Sequence, residues 1–373
     1  MTIGKYFMKY FHLLKNRMNY NLEIQKILLE TENSNNADDI IKLLKQAIQI
    51  ADANNDIDWG FDLRMDLIRN EQFTAHSRES FPAFAWILNA YDSDPEFFSE
   101  EEILNEYKWM ASVSYNNLNI SKAQVEAILE DFRQRSIKYG MSSREYYNVM
   151  ANWSLFLGSK EDARKYLDLR DGEAEDNMTS LSNDLITTIY VEMFEGDFDK
   201  AISHIQEFMA KKSVHKMNHI PVYSGLIYYF GGKMNDPRAA EYFAEVDKEF
   251  SELANFPFQL YEVTLVMYYM SKHEKEKAWV YFCKYVNWEI SAEDGIRFDF
   301  AASTLALFKG GGTRVIEGIN SDHTYYREDS TYNLDDLYNH YYTIATNLAQ
   351  RFDERNGNTH FSEQLDEVLQ QIN

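Results

Sequence analysis

Apolar residues recur along most of the chain at intervals of three and four, which places them on one face of an α-helix. Leu185, Ile189 and Met193, for example, precede a short polar turn, and Ile202 and Ile205 follow it on a second helical face. Similar runs predict helices near residues 5–30, 38–53, 57–72, 77–91, 99–116, 121–139, 142–157, 160–169, 178–195, 198–212, 219–231, 237–252, 257–271, 274–288, 292–308, 333–355 and 361–372. The chain is therefore predicted to be all-α.

The turn between two of these helices, residues 196–201 (GDFDKA), has a distinct chemistry. Gly196 can adopt the positive φ that ends a helix, and Asp197 and Asp199 can cap the N–H groups that open the next one. Ala201 is small enough to let two helix axes approach closely. The pattern predicts a helical hairpin.

Small residues at positions comparable to Ala201 indicate an internal repeat. They are spaced 40, 38, 39 and 38 residues apart, at Ala123, Ala163, Ala201, Ala240 and Ala278. The series extends backwards to Ala83 and then to Ile40. The spacing predicts a solenoid of about seven helix pairs.

The repeat divides the chain into four predicted segments. An N-terminal helical segment, 1–34, precedes the solenoid, 35–308; a glycine-containing linker, 309–332, leads to C-terminal capping helices, 333–373. Gly310, Gly311 and Gly312 lie in the linker, but the phosphate-loop pattern and a preceding strand are both absent. We therefore expect a flexible connection there.

Composition narrows the possible functions. A formal net charge of −23 disfavours nucleic acid and anionic membranes, since both require a basic surface. The single cysteine, Cys283, excludes an intramolecular disulfide. The first fourteen residues lack the apolar core of a signal peptide, and no run is long enough for a membrane span, so the expected location is the cytoplasm.

The GDFDKA turn, the spacing near 38 residues and the small residue of each repeat resemble the tetratricopeptide-repeat superfamily. The period is longer than the usual one of about 34 residues. Residues 81–86, 105–109 and 353–357 also resemble a group of bacterial tetratricopeptide-like proteins to which no reaction is assigned. The resemblance implies a right-handed superhelix whose first helices line a concave groove.

The resemblance also implies which residues face that groove. Relatives bind peptides or partner helices there, and the corresponding positions are Lys108, Ser112, Tyr115, Asn148, Asn152, Ile186, Tyr190 and Met193. Asparagine can hydrogen-bond a ligand backbone, and tyrosine supplies amphipathic contact area. The alternative is that these side chains pack between repeats.

Motifs for catalysis or metal binding are weak. His215 and His219 have the i, i+4 spacing of a zinc motif, but position 216 is lysine where a metalloprotease has glutamate. No nucleophile elbow is found, and Cys283 lies in an aromatic run typical of a buried, inert thiol. We expect neither enzymatic activity nor a cofactor.

These observations lead to a ranked set of hypotheses. The first is a non-enzymatic scaffold or adaptor that binds a protein or peptide in its groove. The alternative is a peptide-responsive regulator resembling the Rap-type bacterial quorum-sensing regulators, acting through a protein partner. A metal-binding protein or enzyme comes last.

Overall fold

A computed structural model describes residues 20–210, 219–252 and 257–372. The described part of the chain is predominantly helical, which confirms the all-α prediction. Its helices are α1 (residues 20–31), α2 (Ala37–Ala53), α3 (Ile57–Glu71), α4 (Ser80–Ser93), α5 (Glu100–Val113), α6 (Lys122–Lys138), α7 (Arg144–Phe156), α8 (Lys160–Asp171), α9 (Leu181–Glu195), α10 (Phe198–Ala210), α11 (His219–Ile227), α12 (Ala239–Glu252), α13 (Leu260–His273), α14 (Lys275–Glu289), α15 (Asp294–Phe308), α16 (Leu334–Asn356) and α17 (His360–Ile372). None of the helices in this described part is long and apolar enough to cross a bilayer.

The chain separates into two compact units, Met1–Glu106 and Tyr107–Asn373, with the division inside α5. This division differs from the segments predicted from the repeat. The predicted helix near 5–30 is described only from residue 20 onwards, and its first part lies outside the described residues.

Unit 1 is held together by a buried carboxylate at the end of α3. Glu71 is inaccessible to water and contacts His76 Nδ1 at 2.8 Å and the Ser80 backbone N–H at 2.7 Å. The other His76 nitrogen lies 3.1 Å from Asp38 on α2. Burial alone would lower the pKa of His76, but its hydrogen bonds to Asp38 and Glu71 outweigh burial and raise that pKa to about 9. The charged cluster joins α2, α3 and α4.

Unit 2 is built from consecutive helix pairs: α7 packs on α8, α9 on α10, α11 on α12 and α13 on α14. The first helices of the pairs, α7, α9, α11 and α13, also pack side by side, and α15 continues the series. A helix in this row is covered on several sides, so α13 buries residues around its whole circumference, whereas α10 buries only Ala201, Ile205 and Phe208. Stacked helical pairs are the predicted architecture; right-handedness stays a prediction.

The predicted hairpin turn is present between α9 and α10. Gly196 has φ 90° and its N–H donates to the carbonyls of Glu192 and Met193. Asp197 then accepts from the Lys200 N–H at 3.4 Å. The turn is therefore closed by a left-handed glycine and opened by an aspartate cap, as predicted.

The repeat register is right at some alanines and wrong at others. Ala163, Ala201 and Ala278 are inaccessible and occupy the fourth position of α8, α10 and α14. Ala123 and Ala240, predicted to be equivalent, are exposed. The two alanines are exposed because of where their helices begin. In α6 the buried fourth position is Val125, and in α12 the buried small residue is Ala239.

The segment predicted to be a flexible linker, 309–332, is folded. Strand β1 (Thr313–Val315) pairs antiparallel with β2 (Thr331–Asn333), which overlaps the end of the segment. Ile316 and Ile319, which lie between the two strands in the sequence, are buried. The loop is therefore anchored by apolar side chains of its own. Gly310, Gly311 and Gly312 have φ values of 114°, 66° and 91°. A residue with a side chain would be strained at such angles, which explains why all three positions are glycine.

The predicted capping helices do more than cover the last hairpin. They pack on α15 and return to the start of unit 2, where the Arg355 guanidinium donates to the Tyr115 carbonyl at 2.8 Å. The Asn358 amide donates to the Leu157 carbonyl at 2.9 Å, at the end of α7. The C-terminal helices therefore tie together hairpins that are distant in sequence.

Candidate functional site

The row of first helices in unit 2 carries a group of tyrosines and carboxylates. We call it the tyrosine recess and define it by Tyr190 on α9, Tyr228 and Tyr229 after α11, Tyr261 and Glu262 on α13, and Asp299 on α15. These hydroxyl and carboxyl groups lie near enough to influence one another's ionisation.

A widened helical turn presents two of the tyrosines. Residues 228–233 continue α11 as a π-helix, a geometry that is frequent at functional sites. A Cβ added to Gly231 would lie 2.2 Å from the Tyr269 ring, and one added to Gly232 would lie 2.4 Å from the Tyr268 ring. The two glycines therefore let α13 approach the π-helix closely.

The tyrosine hydroxyls are desolvated although part of the tyrosine surface is accessible. Tyr261 keeps 37% of its surface accessible, yet burial of its hydroxyl raises the pKa of Tyr261 well above the ordinary value. Burial raises the pKa of Tyr190 and Tyr228 in the same way. Tyr261 therefore combines a partly accessible side chain with a desolvated hydroxyl group.

Two carboxyl groups in the recess have no cation beside them in the part of the chain that the structure describes. Burial raises the pKa of Glu262 to about 7 and that of Asp299 to about 7. Among the described residues neither forms an ion pair, and the Glu262 Oε2 atom is inaccessible without a hydrogen-bond partner. Buried charges are ordinarily paired, so this arrangement is costly for the protein alone.

A cation does lie at the rim. Lys233 Nζ is 5.3 Å from the centre of the Tyr228 ring and 5.7 Å from that of Tyr229. Its ammonium group pairs with Glu367 of α17 at 2.8 Å. The Tyr268 hydroxyl donates to Gln371 at 2.9 Å, so α17 borders the recess along this side.

The groove residues predicted on α5 and α7 have internal partners in the structure. Lys108 Nζ donates to the Met178 carbonyl at 2.8 Å, and Ser112 Oγ donates to the Trp109 carbonyl at 2.7 Å. Asn148 Oδ1 accepts from Arg170 at 3.0 Å, and Asn152 Nδ2 donates to Thr187 at 3.0 Å. Asn148 and Asn152 therefore join α7 to α8 and α9, Lys108 joins α5 to the loop before α9, and Ser112 bonds within α5.

The aromatic and apolar groove residues divide between core and recess. Tyr115 is buried with its ring centre 5.4 Å from that of Trp153, and Met193 is inaccessible. Ile186 is partly buried. Tyr190 alone of the predicted set lies in the recess, where its hydroxyl donates to the Pro221 carbonyl at 2.9 Å.

Sequence reasoning missed most of the recess. Tyr228 and Tyr229 precede a phenylalanine and two glycines, and a Leu-Tyr-Glu run opens α13 about thirty residues later. The signal was an aromatic pair beside paired glycines, which indicates close helix packing. Asp299 lies among apolar residues of α15, and a carboxylate in such a helix was the sequence signal that could have identified it as a functional residue.

The residues considered for metal binding or catalysis do not form a site in the described part of the chain. No three His, Cys, Asp or Glu side chains there converge in a geometry that could hold a metal ion. Of the histidine pair, His219 begins α11, and His215 lies outside the described residues. Burial raises the pKa of the Cys283 thiol, which disfavours the reactive thiolate.

Comparison with known proteins adds no family assignment. No protein-family model matches the chain, and no curated protein matches it. The resemblance to tetratricopeptide repeats therefore stays a prediction from the sequence.

Proposed function

We propose that unit 2 is a binding module that holds a peptide segment of a protein partner in the tyrosine recess. The observation that carries the proposal is the placement of Tyr190, Tyr228, Tyr229 and Tyr261 along the row of first helices that pack side by side, with 37% of the Tyr261 surface accessible. Tyrosine supplies a large contact area at low cost in side-chain entropy and is enriched at interfaces.

The recess offers contact area for a peptide. The accessible part of the Tyr261 ring provides apolar contact, and its hydroxyl group can donate or accept a hydrogen bond. The stacked hairpins hold these groups on helices and not on loops, which favours a preformed site.

The test is peptide display with full-length protein, using a random dodecapeptide library against wild type and Tyr261→Ala. Tyr261 is the better probe than Asn148 or Asn152, because it keeps 37% of its surface accessible and its loss costs little packing. Tyr326→Ala is the matched control, since Tyr326 is 44% exposed and lies outside the recess.

The proposal expects peptides that bind wild type and Tyr326→Ala but bind Tyr261→Ala at least about tenfold more weakly. Peptides retained equally by all three proteins would move binding to another surface. Recovery of no peptide by wild type would contradict the proposal. Circular dichroism establishes that each variant is folded.

A further inference from the structure

We propose that residues 316–330 form an acid-sensitive clasp, which the neutral rings of His323 and His340 hold against α14 and α16 and which protonation of these rings releases. The clasp is the segment that joins β1 to β2. Its release is independent of peptide binding in the tyrosine recess. The proposal stands on the attachment of the clasp, on the surroundings of its histidine and on a contrast with His76 in unit 1.

The clasp is attached to two helices by polar and aromatic contacts. Asn287 on α14 donates from Nδ2 to the Gly318 carbonyl at 2.8 Å and accepts from the Asn320 N–H at 2.9 Å. The Tyr325 hydroxyl lies 2.7 Å from that of Tyr341 on α16. A loop held in this way can open locally at a lower free energy than the helical core beneath it.

The ring of His323 is enclosed by other rings. Its centre lies 4.8 Å from that of Tyr325, and the Tyr325 ring centre lies 4.7 Å from that of His340 on α16. His323 is 6% exposed, and its Nε2 atom is buried without a hydrogen-bond partner in the part of the chain that the structure describes. A proton added to Nε2 would therefore place a charged donor where neither water nor an acceptor receives it.

The groups around the two histidines do not compensate such a proton. Burial, followed by the charge of the neighbouring His340, lowers the pKa of His323 to about 4. Burial and then the cation of Arg297 on α15 lower the pKa of His340. The Val286 carbonyl and the exposed Asp322 carboxylate favour a proton on His323, but burial outweighs both.

The other ionisable groups of the cluster do not drive its release. Burial raises the pKa of Tyr325 and of Tyr341, so both stay neutral in acid. Glu289 on α14 pairs with Arg297 on α15 at 2.9 Å, and this ion pair joins two helices without using the clasp. The two histidines are therefore the groups whose charge couples acid to the attachment of the clasp.

His76 in unit 1 has the opposite surroundings. Its two ring nitrogens lie 2.8 Å from Glu71 and 3.1 Å from Asp38, and these contacts outweigh burial and raise its pKa to about 9. His76 is therefore a cation both at neutral pH and in mild acid. A fall in pH from 7.5 to 5 changes the charge of the clasp histidines and leaves that of His76 unchanged.

The direction of the effect follows from the docked and released pKa values. In the released clasp His323 returns to its ordinary value of 6.5, so the released state binds more protons than the docked state between pH 6.5 and about pH 4. Docking is therefore fully stabilised above pH 6.5 and weakens as the pH falls below it. For His323 alone, the opening equilibrium should rise at least about tenfold between pH 7.5 and pH 5.

The experiment is hydrogen–deuterium exchange of the full-length protein at pH 7.5 and pH 5, read by mass spectrometry on peptides that cover 316–330. Division by the intrinsic exchange rate at each pH converts exchange into the opening equilibrium. The variants are His323→Gln, which keeps a donor, His323→Phe, which keeps a ring, His340→Gln, and a double variant at both positions. His204→Gln is the matched control, because His204 on α10 lies 2.9 Å from the Glu192 carboxylate.

Wild type and His204→Gln should open the clasp at least about tenfold more at pH 5 than at pH 7.5, while α7 and α8 keep their protection. Each single variant should show a smaller change, and the double variant should change by less than about twofold. A wild-type clasp that opens equally at both pH values would overturn the proposal, as would a double variant that keeps the tenfold change. An equal rise in α7 and α8 would mean global acid unfolding and would also overturn it.

Discussion

Two regions of unit 2 treat buried polar groups in opposite ways. Where α7, α8 and α9 meet, Arg144 pairs with Asp184 at 2.6 Å and Arg170 donates to the Asp184 carbonyl at 2.6 Å and to Asn148. In the tyrosine recess, Glu262 and Asp299 have no positive partner among the described residues. In the first region the buried carboxylate has a cation beside it, although Asp184 Oδ1 has no hydrogen-bond partner, and in the second region neither carboxylate has such a cation among the described residues.

The difference distinguishes polar groups that hold the helices together from polar groups that are available for function. A buried network of ion pairs and hydrogen bonds fixes the arrangement of its helices. Desolvated carboxylates without a cation beside them lower stability, a cost that is common at functional sites. The comparison predicts opposite outcomes when each region is neutralised.

The largest effect is expected at the network. Asp184→Asn would leave Arg144, which is 9% exposed, without its counter-charge, and removal of one partner of a buried ion pair costs about 3–5 kcal/mol. Urea unfolding followed by circular dichroism measures the loss. Asp168→Asn, on the exposed face of α8, should change the free energy of unfolding by less than about 0.5 kcal/mol. Equal losses of stability in Asp184→Asn and Asp168→Asn would contradict a structural role for the network.

A smaller effect is expected where α17 meets the end of α7. Gly158 has φ 77°, and a Cβ added there would lie 2.3 Å from the His360 ring. Gly140 has φ 76° with no heavy atom near its added Cβ, which makes it a matched control. Gly140→Ala should cost about 1 kcal/mol from backbone strain, and Gly158→Ala about 1–2 kcal/mol more.

The glycine pair tests whether α17 is fixed against α7. If the two variants lose the same stability, the contact between His360 and Gly158 contributes nothing. A larger loss for Gly158→Ala would support α17 as a fixed border of the recess.

The helices were predictable because their signal is local. Apolar spacing located them to within a few residues, and the GDFDKA turn closes as expected at Gly196. The repeat register was wrong at Ala123 and Ala240 because the spacing of small residues along the chain does not determine where each helix begins.

The recess was not predictable because it depends on contacts distant in sequence. A polar residue on a first helix can face an open groove or a neighbouring helix, and Asn148 and Asn152 proved to face neighbours. The π-helix at 228–233 and the return of α16 and α17 change which tyrosines are presented. Neither feature has a reliable local pattern.

The fold of 309–332 was missed for the same reason. Three glycines and polar residues are typical of a flexible connection, but Tyr332 is buried and the Tyr325 hydroxyl lies 2.7 Å from that of Tyr341 on α16. Tertiary packing therefore determines the conformation of the segment.

The pH dependence of the recess follows from its carboxyl groups. Their folded pKa values of about 7 exceed the ordinary values of 4.5 and 3.8, so the folded chain binds more protons than the unfolded chain between pH 4 and pH 7. Their contribution to stability is therefore present at low pH and is lost as the pH rises through about 7. Other titrating groups are common to wild type and variant and cancel in the difference.

The most direct test measures the free energy of unfolding of wild type and Glu262→Gln/Asp299→Asn in urea at pH 4.5 and pH 8. We predict that the double variant exceeds wild type by about 1–2 kcal/mol at pH 8, allowing for the water contact of both groups, and by much less at pH 4.5. A double variant that is less stable than wild type at pH 8 would mean that the carboxylates hold the fold together, and it would contradict the assignment of the recess as a binding site.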